Sequence, residues 1–399
     1  VAGIEARKEE LAVNPDMRVV NGDIIDIGSA QAQGNRRIGS IFAELSAPFA
    51  KRVETQLALR YDHYSDYGNS TTPQLGIKWK PIDSFALRAS YAEGFHAPSL
   101  STIGSSNVQQ FNSGLSDPLR CGSSDDMQED CNFIASSLVR SNPNLKPEKS
   151  DNQTLGLIFA PNARIGLTID FYRISRTNQI TYRDPQFVIN HEAQFPGAVI
   201  RNPNPATWIP GIPNSGPIQS TILEFINSGR TVTRGVDIES TFRHSLGAWG
   251  KLTMQFNGNY LIEYKYKLRD DTPYTEYAGG ADLPRFKGSL TATWTYRKYA
   301  VTGRVNHVSG WRYGDSANAC YTEHQEYVEK YGCRIKPWTT VDLSVGYTGV
   351  KNLDVGFGVR NLLNKPAPLD PNNIDLGYNP NFHNPYGRYF NIWMNYTFQ

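Results

Sequence analysis

The chain has no stretch approaching the roughly 18 consecutive apolar residues that a membrane-crossing helix needs. A helical membrane protein is therefore not expected. It also lacks an excess of either charge. Forty basic and 38 acidic residues are well mixed and leave a net charge of +2, which excludes the basic footprint of a nucleic-acid binder. No G-x-S-x-G motif occurs, and the seven histidines are scattered with no acidic partner near a serine, so an enzyme is not expected. No metal or cofactor motif is present. Cysteine is scarce: Cys121 and Cys131 form one close pair, Cys320 and Cys333 another, both in polar segments. An even count in loops points to a disulfide in each pair and an oxidising compartment. Zinc is the competing reading, weakened because neither pair has C-x-x-C spacing and no histidine stands at ligand distance beside either. No signal peptide precedes the strand-like run from Gly3 to Val13, so the chain is expected to be a fragment or processed piece of an exported protein.

What is present is alternation. Fourteen segments switch between apolar and polar residues with a period of two. In Val341-Asp342-Leu343-Ser344-Val345-Gly346-Tyr347 and Leu353-Asp354-Val355-Gly356-Phe357-Gly358-Val359, one face is apolar and the other is Asp, Ser and Gly. Short turns such as Pro81–Ser84 and Arg297-Lys298 alternate with longer connections, including polar segments over residues 98–147 and 178–227. Ser65 to Ser70 is read as one of the longer connections. An apolar face on one side and a wet face on the other, repeated strand after strand, predicts an all-β transmembrane antiparallel barrel with its apolar side outward. The mean hydropathy of −0.48 agrees, because half of every strand and all loops are wet. The inward face is expected to carry Glu54, Arg60, Arg88, Asp170, Asp237, Glu239, Arg304, Asp342 and Asp354. Aromatics make up 12% of residues, and many fall at strand ends; interfacial girdles are the favoured reading over plain β-propensity.

Five segments then become specific. Tyr91-Ala92-Glu93-Gly94-Phe95-His96-Ala97-Pro98 resembles the Y-x-x-G-F-R-A-P segment of TonB-dependent outer-membrane receptors, with His96 in place of Arg. Asn142-Pro143-Asn144-Leu145-Lys146-Pro147-Glu148-Lys149-Ser150 is similar to their N-P-x-L-x-P-E-x-S. Gly235-Val236-Asp237-Ile238-Glu239, Asn361-Leu362-Leu363-Asn364-Lys365 and the closing run from Pro385 to Phe398 resemble three further family segments, in the family's order. Gln399 after Phe398 departs from the terminal aromatic. Glu148 and Lys146 are expected to pair at the rim.

The resemblance implies a 22-stranded barrel, of which residues 1–399 supply the C-terminal portion, about fourteen strands. The plug domain, the TonB box and the first eight strands are expected to be missing. It also implies active uptake of a large scarce nutrient across the outer membrane of a Gram-negative bacterium. Siderophore, cobalamin, haem and oligosaccharide are all family substrates. Energy would come from the TonB complex through the plug. Further expected partners are outer-membrane lipid and a surface lipoprotein. Loop aromatics Trp208, Tyr274, Tyr277, Trp311, Tyr313, Tyr321, Tyr378 and Phe382 are the candidate substrate contacts, since ring faces stack on sugars or catecholates alike. A passive porin-like channel is the alternative.

Overall fold

The computed structural model describes residues 1–20, 30–122, 130–269, 271–280, 282–313, 332–370, 373 and 376–398. Fourteen long strands form one continuous wall. They are β1 (Ala2–Val13), β2 (Ala30–Ala50), β3 (Val53–Tyr64), β4 (Gly68–Ile82), β5 (Phe85–His96), β6 (Glu148–Asn162) and β7 (Ile165–Thr177). The second half comprises β8 (Arg230–Ser245), β9 (Lys251–Lys267), β10 (Phe286–Tyr296), β11 (Tyr299–Val308), β12 (Trp338–Val350), β13 (Leu353–Arg360) and β14 (Tyr389–Tyr396). Each strand pairs antiparallel with the next along the chain. Among the described residues no ladder joins β14 to β1, so the wall is an open curved sheet.

The register makes the predicted sidedness concrete. Val301, Val345, Phe357 and Ile392 stand opposite one another across β11 to β14 and form a single apolar row. Thr302, Ser344, Gly358 and Asn391 form the row beside it on the opposite face. Side chains of the apolar rows are exposed, Ile392 at 82% and Met394 at 69%, and would meet hydrocarbon in a bilayer. Polar side chains of the other face bond to each other. Arg88 Nε donates to Asp170 Oδ1 at 2.8 Å across the lumen side of β5–β7. Gly156 stands between them, where a Cβ would lie 2.1 Å from that Oδ1, so only glycine leaves room for the pair. A cavity of about 480 Å³ opens there, lined by Glu54, Lys78, Arg88, Asp170 and Asp237.

Two sequence expectations are corrected. Ser65 to Ser70 is not a longer connection: β3 and β4 stay paired up to Tyr64 opposite Gly68, leaving a three-residue turn. Gly68, at φ +100°, supplies the left-handed backbone that so tight a turn requires. Glu148 does not pair with Lys146. It accepts from Arg176 Nη2 at 3.1 Å and from the Ile180 N–H at 2.7 Å, because the β6–β7 ladder brings Ser150 opposite Arg176.

Candidate functional site

The two long polar segments are not separate loops. They fold together into a cap with its own sheet and core. β2 extends beyond β3 and pairs through Ala30–Gln33 with the first cap strand, Ser105–Leu115. That strand pairs with Phe133–Arg140, which runs parallel to Ile218–Asn227 from the second segment. The short strands Val199–Arg201 and Ile180–Tyr182 complete the sheet. A helix, Pro185–Asn190, covers it; Asp184 caps its N-terminus by accepting the Phe187 N–H at 2.7 Å, with Pro185 pre-set in the first turn. Val139, Val188, Ile189 and Leu223, each 2% exposed or less, form the core with Leu115, Ala135 and Val199. Each valine, leucine or isoleucine among them contributes roughly 1.5–3 kcal/mol on burial.

Polar ties hold the cap. Arg201, 8% exposed, donates to Asp117, 1% exposed, at 2.6 Å and to Glu192 at 2.8 Å. Burial alone would lower the Arg201 pKa, but the two carboxylates outweigh it and keep the guanidinium charged. Arg120 Nε bonds Asp130 at 2.8 Å, next to a disulfide between Cys121 and Cys131. The Asn142 segment clasps the two loops together. Asn142 Nδ2 donates to the Phe225 carbonyl at 2.8 Å, and Asn227 exchanges hydrogen bonds with the Lys146 backbone at 2.7 and 2.8 Å. The Asn361 segment acts likewise below: Asn361, at φ +49°, closes the turn on Lys365 by two bonds and donates its N–H to Asp342.

Beside the cap, where the connection after β9 approaches it, lies a cleft of about 430 Å³ lined by Arg183, Phe187, Phe195 and Arg269. The Arg269 guanidinium lies 3.8 Å from the Phe187 ring centroid and that of Arg183 4.8 Å from Phe195. These four residues escape sequence reading. Phe187 and Phe195 stand in a Pro-, Asn- and Gly-rich stretch, and the arginines come from connections more than 80 residues apart. The one available signal is the interruption of that stretch by Asp184-Pro185, a helix start.

The candidate aromatics distribute as follows. Trp208 is in the cap, half-buried, its Nε1 on the Asn202 carbonyl at 3.3 Å. Tyr274 is 43% exposed, with the Lys267 ammonium 5.3 Å from its ring centre. Tyr277 packs edge-on to Tyr264 at 6.4 Å. Trp311, Tyr313 and Phe382 come together. Trp311 is 3% exposed, stacks on His383 at 5.3 Å and meets Phe382 edge-on at 5.5 Å. The Tyr313 hydroxyl reaches both Asp282 and Asp370, and burial together with the Asp282 bond pushes the phenol's pKa up. His383 is 5% exposed, and burial lowers its pKa to about 4. Tyr378 is half-buried in the same connection. Tyr321 lies outside the described residues. Cys333 is disulfide-bonded and 6% exposed; its expected partner, Cys320, also lies outside them.

Comparison with known proteins gives a consistent picture. Residues 11–362 match the family model described as TonB dependent receptor-like, beta-barrel. A relative in Acinetobacter baumannii, named "Probable TonB-dependent siderophore receptor PirA", is 24% identical over 375 residues, covering 88% of this chain and 43% of that protein. The "Ferric enterobactin receptor PirA" of Pseudomonas aeruginosa is 24% identical over 385 residues, covering 93% and 42%. The chain thus spans less than half the length of these relatives. Among solved structures, the siderophore receptor PirA from A. baumannii superposes with a TM-score of 0.67 at 18% identity, over 100% of this chain and 52% of that one. A P. aeruginosa ferric enterobactin receptor variant in complex with enterobactin gives 0.67 and 18%, over 100% and 51%. These likenesses establish the fold.

Proposed function

The chain belongs to the TonB-dependent receptor family of the Gram-negative outer membrane, and from that premise we propose that residues 1–399 are the C-terminal portion of a receptor barrel that takes up a ferric siderophore. Of the four substrate classes the family resemblance admits, this one is favoured by the names of the two relatives, both siderophore receptors. Energy would come from the TonB complex through a plug domain elsewhere in the receptor. The observation that carries the reading is the cap, which continues the wall from the end of β2 and has beside it a cleft of stacked arginine and phenylalanine side chains. Guanidinium groups held flat against rings offer both charge and planar surface to an aromatic, oxygen-rich chelate.

The candidate aromatics divide by their contacts on this reading, since Trp311, Tyr313 and Phe382 are tied to His383, Asp282, Asp370 and each other. Tyr274, Tyr277, Tyr378 and Trp208 retain surface with which to meet the ligand, and Tyr321 is proposed with them. Trp311, Tyr313 and Phe382 act by holding the connections after β11 and β13 in place. The test is uptake of radiolabelled ferric enterobactin by cells carrying the full-length receptor, with and without TonB, beside labelled cobalamin. Uptake of the ferric chelate only in the TonB-positive cells is expected. Equal uptake in both strains would favour a passive channel, and uptake of cobalamin alone would overturn the substrate class.

A further inference from the structure

Six two- to five-residue turns join the wall strands at the end opposite the cap: residues 51–52, 83–84, 163–164, 246–250, 297–298 and 351–352. In this family's architecture the short turns are periplasmic. A basic residue stands in each of them or within three residues of it. Lys51 and Arg52 form the first turn, Lys80 precedes the second, and Arg164 ends the third. Arg243 and Lys251 flank the fourth, Arg297 and Lys298 form the fifth, and Lys351 stands in the sixth. Within three residues of these turns there are thus nine basic side chains against three acidic ones, Glu54, Asp83 and Asp354. Of the chain's 40 basic and 38 acidic residues, that leaves 31 against 35, so positive charge is concentrated at this rim while the remainder is net negative.

All nine basic side chains are exposed. Only Arg52 and Lys80 find a carboxylate, and they share Asp83 at 4.0 and 3.6 Å. The other seven have none within ion-pair distance among the described residues. Several instead brace neighbouring turns: Arg243 donates to the Ala163 carbonyl at 3.3 Å and Lys298 to that of Gly349 at 3.1 Å. Bracing by a carbonyl neutralises no charge. Adjoining the rim stand large side chains with one end apolar and one polar, Trp79 at 48% exposure, Trp249 at 73% and Tyr299 at 52%. Such rings mark the level of lipid headgroups.

We infer that this rim binds the phosphate groups of anionic phospholipids in the periplasmic leaflet and thereby fixes the depth of the barrel. The distribution decides the partner. A protein docks on one patch, whereas here basic side chains with no carboxylate partner among the described residues recur at five of the six turns, from β2 round to β13, the exception being the Asp83 turn, where Lys80 is paired. A lipid leaflet is the partner that surrounds the wall. Basic residues held at an anionic bilayer surface gain from its potential, and short turns keep them there. The inference rests on the barrel and its sidedness and is independent of the substrate.

The test uses the full-length receptor in nanodiscs, with tryptophan fluorescence quenched by brominated phosphatidylglycerol or brominated phosphatidylcholine. Trp249 and Trp79 are the reporters at the rim. Five basic residues are replaced together, Lys51→Gln, Arg164→Gln, Lys251→Gln, Arg297→Gln and Lys351→Gln, which spares the bracing Arg243 and Lys298. Folding is checked by the mobility shift between unheated and heated samples on a gel. The expected result is a preference of the unaltered receptor for the anionic lipid of about twofold or more, lost in the folded five-site variant and at about 0.5 M salt. Equal quenching by both lipids in the unaltered receptor would overturn the inference, as would a folded variant that keeps the preference. A variant that keeps the preference but no longer captures the TonB periplasmic domain would overturn it in favour of a protein partner.

Discussion

Placing an arginine at Val345 and, separately, at Ser344 tests the sidedness of the whole wall with adjacent residues of one strand. Val345 lies in the apolar row between Val301 and Phe357, and Ser344 lies in the polar row between Thr302 and Gly358. Val345 is five residues from Val350 at the periplasmic end of β12 and seven from Trp338 at the other end. At about 3.3 Å per residue and a tilt of about 45°, that is roughly 12 Å and 16 Å of height, near the middle of an apolar band about 25 Å tall. Val345→Arg should therefore carry the full midplane penalty, about 2–4 kcal/mol, or roughly 30- to 1,000-fold in the folded fraction. Ser344→Arg adds a cation to a wet surface, where Asp342 is a near neighbour on the same face, and should cost under about 0.5 kcal/mol. The assay is equilibrium refolding from urea into phosphatidylcholine vesicles, read by the gel-mobility shift. Equal stabilities for the two variants would mean that the register of β11 to β14 is wrong, and the outward apolar rows with it.

Three further outcomes are expected. Arg201→Ala leaves Asp117 buried and unpaired, so the cap should lose about 3–5 kcal/mol, read as accelerated hydrogen exchange over residues 105–140 and 180–227; an unchanged exchange pattern would mean that the ion pair is incidental. Reducing Cys121–Cys131, which closes a loop of ten residues' separation, should destabilise the same cap by about 3 kcal/mol; non-reducing peptide maps showing Cys121 joined to Cys333 would refute the pairing. His383, with its pKa lowered to about 4 by burial, binds its proton more readily when its connection unfolds. The stability it allows is thus complete above about pH 6.5 and declines as pH falls from there towards 4, by up to about 3 kcal/mol, read by exchange in residues 376–388 at pH 7 and 4.5; His383→Phe should abolish that dependence.

The wall was legible because a half-buried strand writes itself at period two, and each of the fourteen strands is long enough to repeat the pattern. The turn at Ser65 reads as a longer loop in sequence because polar Ser, Asp and Asn look like loop whether or not the backbone stays paired. The cap was not legible for a different reason. Ser137 meets Thr221 and Leu138 meets Ile222, contacts across 84 residues in a parallel ladder, and nothing local in either segment announces its partner. The candidate site is legible only in kind. Aromatic residues in loops can be counted, but whether a ring is spent on packing, as Trp311 is at 3% exposure, or remains open, as Tyr274 is at 43%, depends on which connections converge. Of the two arginine–phenylalanine stacks, Arg183 on Phe195 forms within one connection and Arg269 on Phe187 needs a second connection to approach it. Glu148 shows the same limit on a small scale: sequence offers Lys146 two residues away as its partner, and the partner, Arg176, lies across the ladder.

The parallel ladder in the cap has a consequence for how such receptors diversify. One loop supplies Phe133–Arg140 with the core residues Leu115, Ala135 and Val139; the other supplies Ile218–Asn227 with Val188, Ile189, Val199 and Leu223. A recombination event that exchanged only one of them would deliver half a sheet and half a core, with Asp117 separated from its own Arg201. The two segments are therefore a single unit of inheritance, although wall strands β6 and β7 lie between them in the gene. Natural variation in what the receptor recognises should be concentrated outside that unit, in the connection after β9, where a residue such as Tyr274 or Arg269 can change without asking both loops to change together.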